Sequence, residues 1–210
     1  LAEQGRATAR PNPMVGSVVL QGGEMVGEGF HLRAGEPHAE RNALAMAGEA
    51  ARGGDLFVTL EPCCHTGRTG PCTEAIIRAG IARVFVGAID PNPLMSGQGI
   101  QRLIEAGIEV HQGVLSKRCE RLNEVFNHWI TTGMPWVTAK LATSLDGRIA
   151  ASTGSSKWIT GAEAREEVHH MRADVDAVMV GMGTALADDP RLTVRDAPLG
   201  DHPPLRIILD

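Results

Sequence analysis

The apolar positions come in short runs whose spacing alternates between strand-like and helix-like. Residues 14–20 (MVGSVVL) and 24–30 (EMVGEGF) flank Gln21-Gly22-Gly23, the pattern of a β-hairpin. Residues 38–51 (HAERNALAMAGEAA) are good helix formers with Pro37 just ahead, where a missing N–H costs nothing. Residues 55–60 (DLFVTL) read as a buried strand, and 72–79 (CTEAIIRA) as a helix ended by Gly80. A strand at 83–89, a helix at 97–106 ended by Gly107 and a strand at 109–113 follow. Residues 116–129 predict one amphipathic helix with Leu122, Val125, Phe126 and Trp129 on one face. A hairpin followed by strand–helix alternation predicts a three-layer α/β domain with a mixed sheet.

The sequence 131–135 (TTGMP) reads as a boundary, dividing the chain into units 1–133 and 134–210. Beyond it the pattern predicts a strand at 136–142, a helix at about 161–172 and strands at 176–181 and 204–210. Thr160 and Glu163 fit a capping box for that helix, as N-cap and N3. Residues 1–10 read as the second half of a helix already under way, and the last strand stops without its continuation, so a longer chain is expected at both ends. No basic segment plus apolar core precedes the first motif, which predicts a cytoplasmic protein.

Composition narrows the function. The 210 residues are 43% hydrophobic and 21% charged, which excludes wholesale disorder. Aromatic residues make up only 3%, so the core is built from Val, Ile, Leu, Ala and Met. No apolar run reaches the roughly 18 residues of a membrane span. A net charge of −5 argues against a nucleic-acid binder, which presents a basic stripe, while leaving room for a local basic pocket for one phosphate.

The candidate chemistry lies in His38-Ala39-Glu40, Glu61-Pro62-Cys63 and Cys72. A catalytic zinc takes three protein ligands and keeps one position open, and one imidazole with two thiolates supplies that set. His38 and Cys72 open helices, where unpaired N–H groups lower a thiol pKa. Glu40 is too close along the chain to His38 to ligate the same ion, yet close enough to move protons on a water beside it. The pattern matches the first half of the zinc-deaminase signature H-x-E…P-C-x-x-C and departs in the second, with eight residues between the cysteines. That inserted loop, residues 64–71 (CHTGRTGP), carries Arg68, His65 and two threonines, which suits a phosphorylated substrate.

Several motifs together carry a resemblance: Pro11-Asn12-Pro13-Met14-Val15-Gly16, Gly29-Phe30-His31, His38-Ala39-Glu40, the run 60–72 (LEPCCHTGRTGPC) and Asp90-Pro91-Asn92-Pro93. It continues through residues 140–147 (KLATSLDG), 156–161 (SKWITG), 181–184 (GMGT) and 187–190 (ADDP). On these the chain resembles the bifunctional riboflavin-biosynthesis family, a diaminohydroxyphosphoribosylaminopyrimidine deaminase fused to a 5-amino-6-(5-phosphoribosylamino)uracil reductase. The resemblance implies a cytidine-deaminase-like domain followed by a truncated dihydrofolate-reductase-like α/β domain. It implies His38, Cys63 and Cys72 as ligands of Zn2+ and Glu40 as proton shuttle. It places Asn12, His31, His65, Arg68 and Asn92 around a pyrimidine ribosyl phosphate. In the second domain it implies Ser144, Trp158, Thr160 and Thr184 for NADPH and Ser156, Arg172, Asp188, Arg191 and Arg195 for the ribosyl phosphate. The family's reductase runs past Asp210, so the expectation is a complete deaminase site beside a half-built reductase site. A homo-oligomer is expected, with neither a nucleic-acid nor a membrane partner.

Blander readings compete. The zinc could be structural, closed by Cys64 or His65 as a fourth ligand. The four cysteines could form two disulfides. Cys64 and Cys119 otherwise read as non-ligands, and His169 and His170 as partnerless surface residues. The functional rivals are a deaminase of another nucleoside or nucleic acid, and a zinc-stabilised module with no catalysis.

Overall fold

The computed structural model describes residues 1–67, 69–195, 197 and 203–210, and the chain divides into two units, Leu1–Trp136 and Val137–Asp210. The first unit is built on strands β1 (Gly16–Gln21), β2 (Glu24–Phe30), β3 (Asp55–Leu60), β4 (Arg83–Ala88) and β5 (Glu109–Gln112). Their order in the sheet is β2-β1-β3-β4-β5. β1 pairs antiparallel with β2 and β3, whereas β3, β4 and β5 run parallel, so the sheet is mixed as expected. The hairpin reverses at Gly22 and Gly23, whose φ of 60° and 89° are left-handed, the geometry of a tight two-residue turn.

Helices α1 (Ala39–Ala47), α2 (Cys72–Ala79) and α3 (Gln98–Glu105) join these strands. Alternate strand residues Leu56, Val58, Val84 and Val86 pack with Ala43, Leu44, Ile76 and Leu103 in one core. α4 (Ser116–Leu122) lies on the other face, with Cys119 against Gly87 of β4. α1 sits directly on β2 because Gly27 and Gly29 lack side chains there: a Cβ on Gly27 would lie 2.2 Å from the Ala43 carbonyl oxygen and 2.9 Å from the Ala47 Cβ. Backbone cannot yield as a side chain can. Gly27→Ala is therefore expected to cost about 2–3 kcal/mol, read as a lower urea midpoint with an unchanged slope.

Three expectations for this unit fail for tertiary reasons. The amphipathic segment 116–129 is two helices, α4 and α5 (Glu124–Thr132), broken at Asn123, whose buried side chain bonds the backbone of Met14 instead of facing out. The N-terminal segment forms only a short 3-10 turn, Ala2–Gly5. There Gly5 presses on the His31 carbonyl and Gly16 on Ala2, so close packing rather than helical period shapes it. β4 stops at Ala88, one residue short, and Ile89 is exposed.

In the second unit, α6 (Ala162–Ala173), β6 (Ala177–Gly181), α7 (Met182–Asp188) and β7 (Leu205–Leu209) are formed, and β6 and β7 pair in parallel. The expected strand at 136–142 does not form: the segment has no regular structure, is almost wholly exposed and has no ladder partner among the described residues. The capping box does not form either. Gly161 is the N-cap, with extended dihedrals and no side-chain bond, which leaves Thr160 outside the helix and Glu163 at its second position.

Candidate metal centre and pocket

The parallel ladder sets the centre's position. After Leu60 it continues through Glu61, whose N–H donates to the Ala88 carbonyl at 2.9 Å. Pro62 has no donor, so the chain leaves the sheet there and delivers Cys63 above the carboxyl end of β3, a usual place for an α/β active site. Two helix starts converge on it. His38 is the N-cap residue of α1 and Cys72 is the first residue of α2. The Thr73 N–H donates to the Cys63 carbonyl at 3.1 Å, and the Cys72 N–H points at the Cys63 sulfur at 3.4 Å.

The result is a cluster of three ligating atoms, all within 4.8 Å of one another. His38 Nδ1 lies 3.5 Å from Cys63 Sγ and 3.4 Å from Cys72 Sγ. Bonds of about 2.3 Å to sulfur and about 2.0–2.1 Å to nitrogen at tetrahedral angles would hold such atoms about 3.6 Å apart, so the donor set fits zinc in both chemistry and spacing. Neither Cys64 nor His65 joins the cluster among the described residues, leaving three protein ligands rather than four. All four cysteines are free thiols, which removes the disulfide reading. His38 Nε2 faces Thr69 Oγ1 at 3.5 Å, an outer contact that steadies the ring and that no spacing in the sequence announced.

The electrostatics match a cation site. Hydrogen bonds from Cys72 and His38 hold the Cys63 thiol down at about 4, despite burial. The same contact, with burial, drives the Cys72 thiol up, and the bond to Cys63 raises His38. A divalent cation bound to these donors would displace their protons.

Glu40 comes to the centre through helix geometry. Ala39, Glu40, Ala43, Leu44 and Ala47 form the buried stripe of α1, so the carboxylate points inward and is only 3% exposed. Burial pushes it up to about 7, and its Oε2 is buried without a hydrogen-bond partner. An orphaned buried carboxylate oxygen beside three metal-type donors is what a bound cation with its water would satisfy.

Asn12 and His31 are brought to each other and to the cluster. Asn12 Nδ2 meets His31 Nε2 at 3.0 Å, His31 Nδ1 faces the Pro37 carbonyl at 3.3 Å, and the His31 and His38 rings stand edge to face at 5.1 Å. Burial lowers the His31 pKa, and because the Pro37 carbonyl can only accept, Nδ1 donates to it while Nε2 accepts from Asn12 Nδ2. That tautomer turns the Asn12 carbonyl away from His31 and leaves it as an acceptor.

Asn92 lies on a loop organised by Asp90, whose Oδ1 accepts the Asn92 N–H at 2.9 Å. Behind it is Glu61, a residue with no assigned role in the sequence reading. Its carboxylate accepts four backbone N–H groups, from Asp90 at 3.2 Å, Gly97 at 2.9 Å, Gly99 at 2.8 Å and Ile100 at 3.3 Å. This buried hub ties the loop of Asn92 and the start of α3 to the strand end that carries Cys63. His65 is exposed, and Arg68 lies outside the described residues.

In the second unit, Arg172, Arg191 and Arg195 line one cavity of about 410 Å³ with Pro190 and Leu192. His169 is not partnerless, since its Nδ1 accepts the Arg195 N–H at 3.2 Å. Arg165 joins two other candidates, donating to the Thr160 carbonyl at 2.7 Å and lying 4.5 Å over the Trp158 ring. Ser144 is engaged in a turn with Asp146 and Arg148. Asp188 and Thr184 lie on α7. Among the described residues Ser144, Ser156, Trp158, Thr160, Thr184 and Asp188 do not line the arginine cavity.

Residues 1–88 match the family described as the cytidine and deoxycytidylate deaminase zinc-binding region, and residues 135–210 match the RibD C-terminal domain. Riboflavin biosynthesis protein RibD of Aquifex aeolicus is 53% identical over all 210 residues of this chain and 59% of its own length. The Escherichia coli protein of that name is 48% identical over 100% of this chain and 60% of its own. A Thermotoga maritima crystal structure, a diaminohydroxyphosphoribosylaminopyrimidine deaminase/5-amino-6-(5-phosphoribosylamino)uracil reductase, superposes with a TM-score of 0.92 at 48% identity, covering 100% of this chain and 60% of that one. Acinetobacter baumannii RibD superposes with a TM-score of 0.89 at 48% identity, covering 99% and 60%. The chain therefore spans about three-fifths of the length of the relatives it matches.

Proposed function

Along its whole length the chain is a homologue of the RibD riboflavin biosynthesis proteins, and from that premise we propose that its first unit is a zinc-dependent aminohydrolase. Its substrate is 2,5-diamino-6-ribosylamino-pyrimidinone 5'-phosphate, a small pyrimidine ribosyl phosphate. The observation that carries the reading is the His38–Cys63–Cys72 cluster at zinc-ligand spacing beside the orphaned Glu40 oxygen.

A zinc ion on these three residues supplies the Lewis acidity that makes water nucleophilic near neutral pH. Glu40 takes a proton from the attacking water as its oxygen bonds to the ring carbon that bears the amino group. Glu40 passes that proton to the adjacent ring nitrogen. It then takes the second water proton and gives it to the exocyclic nitrogen as the carbon–nitrogen bond breaks. Amine and water become carbonyl and ammonia, and Glu40 returns to its starting state. A buried carboxyl beside the attacking water can accept and return protons in both directions. Asn12, His31, His65 and Asn92 line the pocket for the pyrimidine and its ribosyl phosphate, and the family motif that carries Arg68 belongs to the same pocket. No nucleic acid or membrane partner is involved, and the protein works in the cytoplasm as a homo-oligomer.

For the second unit the reading is the reductase half of the same sequence, in which NADPH delivers hydride to the deaminated ribosyl chain and yields ribityl. Arg172, Arg191 and Arg195 form a cavity of the right charge for the phosphate. Ser144, Trp158, Thr160 and Thr184 serve NADPH, and Ser156 and Asp188 the substrate.

The test is ammonia release from the diamino-ribosylaminopyrimidinone phosphate, with cytidine and dCMP as controls. The expected result is one ammonia per substrate, a product heavier by one mass unit, and no release from the controls. Release from cytidine or dCMP alone would assign the site to nucleoside deamination. No release from a folded, zinc-loaded chain would leave the cluster as a structural zinc site.

A further inference from the structure

We infer that Asn123, at the break between α4 and α5, is a positioning residue that sets the affinity of the pyrimidine pocket by fixing the loop of Asn12. The inference rests on the reading of Asn12 as a substrate contact.

Asn123 occupies the N-cap position of α5, where asparagine ordinarily accepts from an N–H of the first helical turn. Here it makes no side-chain bond to its own helix. Both ends of its amide go instead to one residue 109 positions earlier: Oδ1 accepts the Met14 N–H at 2.8 Å, and Nδ2 donates to the Met14 carbonyl at 2.9 Å. The side chain is only 4% exposed, so these are bonds that water cannot replace. The arrangement gives Met14 the donor–acceptor pair that a neighbouring strand would supply, two residues before β1 begins at Gly16.

The loop needs such a clamp. Pro11 and Pro13 lack N–H groups, so between Ala9 and β1 few backbone donors can tie the chain down. Asn12 N–H bonds the Ala9 carbonyl at 2.9 Å, and the next donor is that of Met14. On the far side, the His31 N–H donates to the Val15 carbonyl at 2.9 Å, and the Gly16 N–H to Thr59 Oγ1 at 3.1 Å. The Asn12–His31 contact of 3.0 Å is thus followed directly along the chain by a clamp at Met14 and a backbone bond from His31 to Val15. Removing the clamp frees the Asn12 end of the pair and leaves the zinc ligands, which stand on α1, α2 and the end of β3, in place.

The decisive variant is Asn123→Asp in the full chain. It has the same shape, caps a helix as well and still accepts from the Met14 N–H. It sets an oxygen against the Met14 carbonyl where a donor belongs. The expected result is a KM for the diamino-ribosylaminopyrimidinone phosphate raised about tenfold, a kcat within about twofold and unchanged zinc content. Asn123→Ala, which removes the clamp without repulsion, raises KM in the same direction. In an Asn12→Ala background, Asn123→Asp adds no more than about twofold, because both act through one contact. A lowered melting temperature with unchanged KM overturns the inference, as do KM effects that multiply in the double variant or a chain that cannot fold without Asn123. If Asn12→Ala raises KM and neither Asn123 variant does, only this inference falls. If Asn12→Ala leaves KM unchanged, the Asn12 contact falls with it.

Discussion

Glu40→Gln is expected to keep its zinc and lose ammonia release by about a thousandfold, within the range of 10²–10⁴ that a positioned proton-transfer group contributes. The glutamine amide has the same shape and reaches the same place but cannot carry a proton in either direction. The variant separates chemistry from folding. Oε2 of Glu40 is buried with no hydrogen-bond partner among the described residues of the protein, and burial already pushes the carboxyl up to about 7. Removing the charge therefore removes a desolvation cost, and the metal-free variant should melt no lower than the metal-free parent. Metal analysis, a melting curve and a single-turnover assay on one preparation check all three points. Zinc retained together with full turnover would remove Glu40 from the mechanism.

Removing the metal should have the opposite signature. A chelator is expected to abolish ammonia release and lower the melting temperature, and added zinc to restore both. Binding only to the folded state adds about 4 kcal/mol when free metal stands a thousandfold above its dissociation constant. Cys72→Ala is expected to reproduce the chelated state without rescue by zinc. The buried thiol lies 3.4 Å from His38 Nδ1, and no other described His, Cys, Asp or Glu joins the cluster to replace it. Chelated protein that still releases ammonia at the original rate would refute a catalytic metal. Unchanged turnover in a Cys72→Ala chain that retains one zinc would refute the ligand set.

Much of this site is legible in the amino-acid sequence. H-x-E at a helix start, a strand followed by E-P-C, and a cysteine opening the next helix each use local rules. A proline ends a ladder, a helix start offers unpaired N–H groups, and the i, i+3, i+4 stripe decides that Glu40 points inward with Ala43 and Leu44. Strand–helix alternation likewise announced the mixed sheet of the first unit. The failures have a common cause. Residues 116–129 have the period of one helix, and nothing local says that Asn123 will bond Met14. Residues 136–142 have strand propensity but no described neighbour to pair with. Thr160 has capping chemistry, yet Gly161 takes the position. His169 looked solitary because its partner, Arg195, is 26 residues away.

By itself, then, the sequence determined the order and type of most elements, the donor chemistry of the centre and the side of α1 that Glu40 faces. These depend on interactions spanning a turn or two of chain. Only the tertiary structure decided that the two thiols and the imidazole meet at zinc-ligand spacing, and that Thr69 backs His38. It alone showed that Glu61 gathers four N–H groups under the Asn92 loop, and that Asn123 clamps the loop of Asn12. Each of those contacts joins segments far apart in the chain. Their pairing is set by how the helices and the sheet pack, which no local window of sequence contains.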